Sequence, residues 1–303
     1  MKKNLLILLL LAAFNNINSQ NIFNNSFDVP DSTLFSSGWM QSNQSNPIGS
    51  SIWSIPVASN LAFATGGNTG GNTSYITCDY NSTVGAGVIS NWLFTPTITI
   101  QNGDIITFYA KKGGTGTGTI YADNLELRIS LLGDGTTFPT SGDTDLGDFT
   151  TLAVEINPTL NTTSFPFVWT QYSYTVTGLT APTTCKFGFR YYVVDGGPSG
   201  NHSDIIGIDD FSVDRPVMNT SDFFKSNFVV YPNPIKDIFS LRNTTDVTIL
   251  AAEIFDMNGR TIKNLTVADL ETGQNNISEL TEGMYFLKIT SQEGIGITKI
   301  IKK

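Results

Sequence analysis

Two adjacent carboxylates, Asp209 and Asp210, interrupt an otherwise apolar strand pattern that runs from Ile205 to Val213. Side chains alternate along a strand, so the pair is expected to face opposite sides, with one carboxylate approaching a buried layer. An unpaired charge there is costly and demands a partner. A bound Ca2+ meets that demand with oxygen ligands from Asp209 or Asp210, backbone carbonyls, and Asp28 on the first strand. Pairing with Arg190 or with backbone N–H groups is the alternative. Asp134, Asp143, Asp145 and Asp148 form a second acidic cluster in a Gly/Thr-rich loop. Their order departs from the EF-hand pattern, so a solvated loop is the first expectation and a second calcium the alternative.

Other reactive groups are few. His202 is the only histidine, in a loop, with no nucleophile motif beside it; a His-based zinc site is excluded by number. No catalytic residue is assigned. Carboxylate-pair hydrolysis stays open, because Asp and Glu are plentiful. The run Gly113-Gly114-Thr115-Gly116-Thr117-Gly118 lacks the Lys-Ser/Thr and the helix of a phosphate loop, and reads as a hairpin tip. Cys78 and Cys185 are either one long-range disulfide or two buried thiols. Trp39, Trp53, Trp92 and Trp169 offer rings for sugars or for a core. Trp92 and Trp169 are expected in the core; Trp53, in a Ser/Asn-rich stretch, is the expected exposed ligand-binding platform.

The elements that must position these groups are strands. Charged residues make up 14% of the 303-residue chain, and no apolar 3.6-residue repeat stands out beyond the N-terminus. Leu125–Ser130 and Lys186–Val193 alternate apolar and polar side chains, and Asp104–Ala110 follows the turn Asn102-Gly103. Gly/Asn/Pro punctuation at this spacing predicts an all-β fold with a jelly-roll β-sandwich. A polar lapse over 214–227 is expected to be a linker. Beyond it, Phe228–Tyr231, Ile238–Arg242, Val247–Asp256, Arg260–Lys263, Met284–Thr290 and Ile295–Ile301 predict a small immunoglobulin-like sandwich with a turn at Asn258-Gly259.

Residues 1–19 have the three parts of a signal peptide: Lys2-Lys3, an apolar run Leu5–Phe14, and a polar stretch Asn15–Ser19. The run is too short to span a bilayer, so no transmembrane segment is expected. The following 20–214 hold five Lys/Arg against sixteen Asp/Glu. So acidic a domain is a poor partner for nucleic acid and a good one for divalent cations.

The C-terminal pieces resemble the type A sorting domain of the type IX secretion system of Bacteroidetes. They are Val230-Tyr231-Pro232-Asn233-Pro234, Glu253–Arg260 around Gly259, Leu280–Ile289 with Gly283 and Tyr285, and Thr298–Lys303 with Lys299. The resemblance covers 228–303. It implies export to the periplasm, recognition by the type IX machinery at the outer membrane, and release to the cell surface or medium. Pro232 and Pro234 lack backbone donors, which keeps that segment out of a central strand.

Residues 20–213 resemble the choice-of-anchor J family, related to cleaved-adhesin domains. The pieces are Gly38-Trp39, Ile89–Pro96, Asp123–Ser130, Gly147-Asp148-Phe149, Trp169–Tyr172, Phe189–Tyr192 and Ile206–Phe211. The resemblance implies a surface jelly roll with adhesion or carbohydrate binding among its relatives. It also implies a structural calcium between an acidic residue of the first strand, here Asp28, and the pair Asp209-Asp210. A non-catalytic binding module for a surface glycan or protein is therefore the leading expectation; a secreted carboxylate hydrolase and a self-associating matrix protein are the alternatives. Deleting 228–303 is expected to strand the rest of the chain in the periplasm, which cell fractionation checks; undiminished release into the medium would overturn the export assignment.

Overall fold

The computed structural model describes residues 19–114, 119–216, 220–272, 274–291 and 293–303. The proposed signal peptide, apart from Ser19, and the tip 115–118 lie outside the described residues. The described chain divides into two compact units, one spanning Ser19–Pro216 and one spanning Val217–Lys303. No helix among the described residues is long and apolar enough to cross a membrane.

The first unit contains β1 (Ser19–Asn25), α1 (Asp31–Ser36), β2 (Met40–Asn43), β3 (Asn46–Ile48), β4 (Ile76–Asp79), β5 (Thr83–Phe94), β6 (Ile98–Ile100) and β7 (Ile105–Lys112). It continues with β8 (Leu125–Ser130), β9 (Thr151–Ile156), β10 (Thr170–Thr175), β11 (Thr183–Gly196) and β12 (Ile205–Pro216). One sheet runs β1-β12-β7-β10 with β4 also on β12; the other runs β2-β5-β11-β8-β9 with β3 on β5 and β6 on β11. All these pairings are antiparallel, as the expected jelly-roll sandwich requires.

The core lies between the sheets because alternate residues of each strand are apolar. Phe187, Phe189, Tyr191 and Val193 of β11 face Ile106 and Phe108 of β7 and Ile206, Ile208, Phe211 and Val213 of β12, all buried. Phe211 packs against Phe23, Trp39, Phe187 and Phe189, with ring centroids 5.5–6.1 Å apart, mostly edge to face. Such aromatic packing adds specific geometry to the large apolar area it buries.

The opposite face of the second sheet is covered too. Trp92, Phe94 and Phe149 form a second apolar cluster there with Phe138 and Leu146. The acidic loop that carries Phe138, Leu146 and Phe149 thus acts as a cover. On the outer face of the first sheet, Phe63, Tyr75 and Trp169 stack over Gly207 of β12, with the Lys111 ammonium 4.5 Å above the Phe63 ring. Trp169, expected in the core, is half-buried in this cap and donates from Nε1 to the Gly66 carbonyl at 3.0 Å.

The second unit holds α2 (Thr220–Asn227), β13 (Phe228–Tyr231), β14 (Ile238–Asn243), β15 (Ile249–Phe255), β16 (Thr261–Leu265), α3 (Val267–Thr272), β17 (Asn275–Asn276), β18 (Gly283–Ser291) and β19 (Ile295–Lys302). Its sheets run β13-β14-β17 and β16-β15-β18-β19. The expected linker 214–227 is corrected here: β12 continues through Pro216 and Thr220–Asn227 is helical. The polar composition concealed Phe223 and Phe224, which are buried against β19, where Gly294 and Gly296 leave room for their rings.

A methyl added at Gly207 would lie 2.4 Å from Phe63 Cε2 and 3.1 Å from Trp169 Cη2. Gly207→Ala is expected to displace the aromatic cap at a cost of about 1–3 kcal/mol, read as a melting temperature lower by roughly 2–4 °C per kcal/mol. An unchanged melting curve would mean that the cap contributes nothing to stability.

Candidate functional site

The Asp209-Asp210 pair sits on a β-bulge. Asp209 pairs with Tyr109 and Ser212 with Thr107, so β12 carries one residue more than β7 across this step. Asp210 takes the extra place with a left-handed backbone, φ 47°, a conformation that Asp tolerates better than most residues. The bulge shifts the phase of the strand: Ile206 and Ile208 point into the core before it, Phe211 and Val213 after it. The expectation of opposite faces is corrected accordingly. Alternation holds only through an unbroken ladder, and the extra residue brings both carboxylates to the same loop, Gly66–Ser74.

That loop is fastened to them by hydrogen bonds. The Asn68 N–H donates to Asp209 Oδ2 at 2.7 Å and the Thr69 N–H to the same oxygen at 3.3 Å. The Asn68 side-chain amide donates to Asp210 Oδ2 at 2.8 Å, and the Thr69 hydroxyl to Asp210 Oδ1 at 2.6 Å. The Asp210 N–H donates to Asp209 Oδ1 at 2.7 Å. Asp209 is wholly buried, and burial, reinforced by the charge of Asp210, pushes its carboxyl up to about 7.

Arg190, the alternative partner, is elsewhere. Its guanidinium stacks 3.8 Å from the Tyr192 ring centroid, pairs with Glu126 at 3.2 Å, and donates to Ser90 Oγ and the Asp143 carbonyl. Backbone N–H groups therefore serve Asp209. Among the described residues, the ion pairs of this unit are Arg128–Glu126, Arg190–Glu126, Lys186–Asp134 and Arg215–Asp104, and none reaches Asp28, Asp209 or Asp210.

Asp28 lies just beyond β1, which ends at Asn25, rather than within the strand. It follows Phe27, whose positive φ of 51° turns the chain. The turn brings it to the same loop: a Cβ at Gly70 would be 2.4 Å from Asp28 Oδ1, and one at Gly67 would be 2.9 Å from Asp209 Oδ2. The Gly67 position is also crowded by the carbonyls of Thr69, at 2.6 Å, and Ser74, at 2.1 Å. Asp209 and the Thr69 and Ser74 carbonyls thus crowd Gly67 while Asp28 crowds Gly70 of the same loop, oxygen donors of the kind calcium prefers. No group of three or more His, Cys, Asp or Glu among the described residues is close enough to hold a metal by side chains alone, so the carbonyls would be indispensable.

Trp53 is corrected from exposed platform to core. It is fully buried, and its Nε1 donates to the Asn91 carbonyl at 3.1 Å. The Ser/Asn-rich stretch around it looked like a surface loop but is bonded to the framework, where Asn91 of β5 donates to the Ser51 carbonyl at 2.8 Å. The second acidic cluster is occupied in shaping its loop: Asp145 accepts from the N–H groups of Thr140, Ser141 and Gly147, and Asp148 from Thr137 N–H. Cys78 and Cys185 are free and buried, and burial pushes both thiols up to about 12, far from nucleophilic character. His202 Nδ1 lies 2.9 Å from the Val194 carbonyl.

In the second unit the motif residues converge on the last strand. Asn233 donates from Nδ2 to the Lys299 carbonyl and accepts from the Ile301 N–H, both at 3.0 Å. Tyr285 pairs with Ile300 across β18 and β19, and Gly283 with Lys302. Pro232 and Pro234 flank Asn233 on the exposed edge, as their missing donors required. Gly259 stands apart, at the tip of the Asp256–Arg260 turn with φ 79°.

A buried pair escaped sequence reasoning. Asp123, fully buried, accepts from the Tyr191 hydroxyl at 2.6 Å and the Asp204 N–H at 2.8 Å, and its Oδ2 has no partner among the described residues. Nearby Lys112 donates to the carbonyls of Tyr121 and Thr162.

Residues 229–303 match the family model described as a secretion system C-terminal sorting domain. The chain is thus an exported protein, delivered by type IX secretion to the cell surface or the medium. No curated protein matches the sequence. Among solved structures, the K1 cleaved adhesin domain of Lys-gingipain from Porphyromonas gingivalis W83 is 18% identical, covering 64% of this chain and 97% of that one, with a TM-score of 0.39. The carbohydrate-binding module TmCBM61, in complex with β-1,4-galactotriose, is 13% identical over 65% of this chain and 99% of that one, TM-score 0.36. The adhesin domain of Epf from Streptococcus pyogenes is 13% identical over 75% of each chain, TM-score 0.36. Identities this low leave the ligand to be argued from the chain's own residues.

Burial pushes the Asp123 carboxyl up to about 7, above its ordinary value of about 3.9. Stability from such a group is fully present below about pH 4 and is lost as pH rises through the folded pKa. Asp123→Asn, an uncharged mimic of the acid, is expected to flatten the fall in melting temperature between about pH 4 and 8. Parallel profiles for the two proteins would show that Asp123 does not titrate in this range.

Proposed function

We propose that the chain is an exported, non-catalytic binding module whose Gly66–Ser74 loop is locked by a calcium ion, and that its first unit holds a surface glycan or protein. The observation that carries the reading is the wholly buried carboxylate of Asp209, with Asp210 and Asp28 against the same glycine-lined loop and no Lys or Arg among the described residues paired with any of them. The neighbouring carboxylates of Asp209 and Asp210 repel each other, and a divalent ion bound against the loop would relieve that repulsion. Asp28, Asp209 and the carbonyls of Thr69 and Ser74 are the ligands that the loop's close approaches favour, with Asp210 alongside. The ion would supply structural rigidity rather than chemistry.

Catalysis finds little support. The two thiols are buried and strongly protonated, the lone histidine faces a backbone carbonyl, and the adjacent Asp pair is tied to a loop. Adhesion needs none of these groups, only a rigid surface.

Adding calcium to chelator-treated protein is expected to raise its melting temperature by several degrees. Asp28→Asn should abolish that rise while leaving the calcium-free melting temperature nearly unchanged, because Asp28 is exposed. Calorimetry measures both. Identical melting curves with calcium and with chelator would remove the ion from this reading.

A further inference from the structure

The outer face of the first sheet is only half covered by the Phe63–Trp169 cap. Beside it, above β12, a cleft of about 280 Å³ opens, its lining including Asn24, Thr107, Tyr109, Asp210, Phe211 and Ser212. Ladder register sets this lining: Asn24, Ser212, Thr107 and Ser173 stand opposite one another across β1, β12, β7 and β10, and Tyr109 stands opposite Gln171. Every one of those positions is polar or hydroxylated, while Ile106, Phe108 and Val213 between them point into the core.

We propose that this cleft binds a neutral saccharide, with one sugar ring against Tyr109 and its hydroxyls met by Asn24 and by the Thr107–Ser212 hydroxyl pair; the proposal rests on the reading of the unit as a binding module. Three observations select that ligand class. First, hydrogen-bonding capacity faces the cleft: the Asn24 amide and the Tyr109 hydroxyl hold no hydrogen bond among the described residues, and the half-exposed Thr107 and Ser212 hydroxyls, 2.7 Å apart and chained to Asp214 Oδ2 through Ser212, keep lone pairs that can accept from a ligand. Second, the charge is wrong for an anion. The cations of 20–214 are committed elsewhere: Lys111 to Thr65 and the Phe63 ring, Lys112 to two carbonyls, Arg128 and Arg190 to Glu126, and Lys186 to Asp134. Third, the one aliphatic or aromatic lining residue besides Tyr109 is Phe211, which is wholly buried, so the cleft offers no exposed apolar centre of the kind protein interfaces place at their core. Amides, hydroxyls and one ring face match a polyhydroxylated ring with apolar C–H faces. The volume, about 280 Å³, lies just below the ~300–1,000 Å³ typical of ligand sites, which suits one sugar unit with its neighbours along the open sheet.

The experiment titrates the full secreted chain, with calcium present, against neutral cello-, xylo-, manno- and galacto-tetrasaccharides, with oligogalacturonate and chondroitin sulfate oligosaccharides as anionic probes. Binding to at least one neutral probe is expected, weakened tenfold or more by Tyr109→Ala and severalfold by Asn24→Ala, and largely kept by Tyr109→Phe. Circular dichroism and melting curves establish that each variant folds. Three outcomes overturn the proposal: no binding to any neutral probe at millimolar concentration, binding to anionic probes alone, or neutral binding untouched by both alanine variants. The calcium-dependent melting shift is read on the same samples, so loss of sugar binding with that shift intact would sink the saccharide site and leave the calcium-locked module standing.

Discussion

One extra residue in β12 governs the first unit. Without the bulge at Asp210, alternation would turn Phe211 outward and send Asp210 into the aromatic core between Trp39, Phe187 and Phe189. With it, Phe211 completes the core and both carboxylates meet the Gly66–Ser74 loop. The strand therefore does two jobs with one irregularity: its ends fill the sandwich, and its middle anchors a loop on the outer face. Bulges serve in this way elsewhere, re-aiming a side chain where function needs it.

Charge is distributed with the same economy. The second sheet buries Glu126 with two arginines and covers them with aromatics from the acidic loop, so that half of the unit's six Lys and Arg residues, Lys186 included, are consumed on that sheet. The first sheet's own cations are engaged as well, Lys111 by Thr65 and the Phe63 ring, Lys112 by two carbonyls and Arg215 by Asp104, which leaves carboxylates and neutral polar groups around the open cleft. This division explains why the outer faces differ: one is sealed by a polar network under rings, the other stays open around Tyr109. A cation, and not an anion, is the charged species that the open side can accommodate.

Most strands of the second unit were legible in the sequence because they are short, alternating and punctuated by turns; β13 was read as Phe228–Tyr231, the limits it has in the structure. Helix α2 was not legible, since its two phenylalanines sit among polar residues and only Gly294, just before β19, and Gly296 within it explain where they go. In the first unit Asp28, Asp209 and Asp210 were legible as a group, and the structure brings all three to one loop. Their relative facing was misread, although the signal was present: the apolar positions slip from Ile206 and Ile208 to Phe211 and Val213, a phase change that an unbroken strand cannot produce. The doubled Gly-Gly-Asn-Thr of 66–73 was a second unread signal for the loop. Trp53 could not be placed from its neighbours, because Ser and Asn side chains that bond to backbone look like those that bond to water.

The second unit shows why its motif residues are spaced as they are. A terminal strand offers an unpaired edge, and an unpaired edge invites association with other strands. Here the edge of β19 is closed by the segment around Asn233: the Ile235 N–H donates to the Ile301 carbonyl at 2.7 Å and the Lys303 N–H to the Ile235 carbonyl at 2.8 Å. Asn233 adds a side-chain amide that imitates a further stretch of backbone, donating to Lys299 and accepting from Ile301. Pro232 and Pro234 on either side have no N–H to offer another strand, so pairing stops at this layer. Two motifs more than sixty residues apart in the chain therefore form one structural unit, in which the first seals what the second exposes.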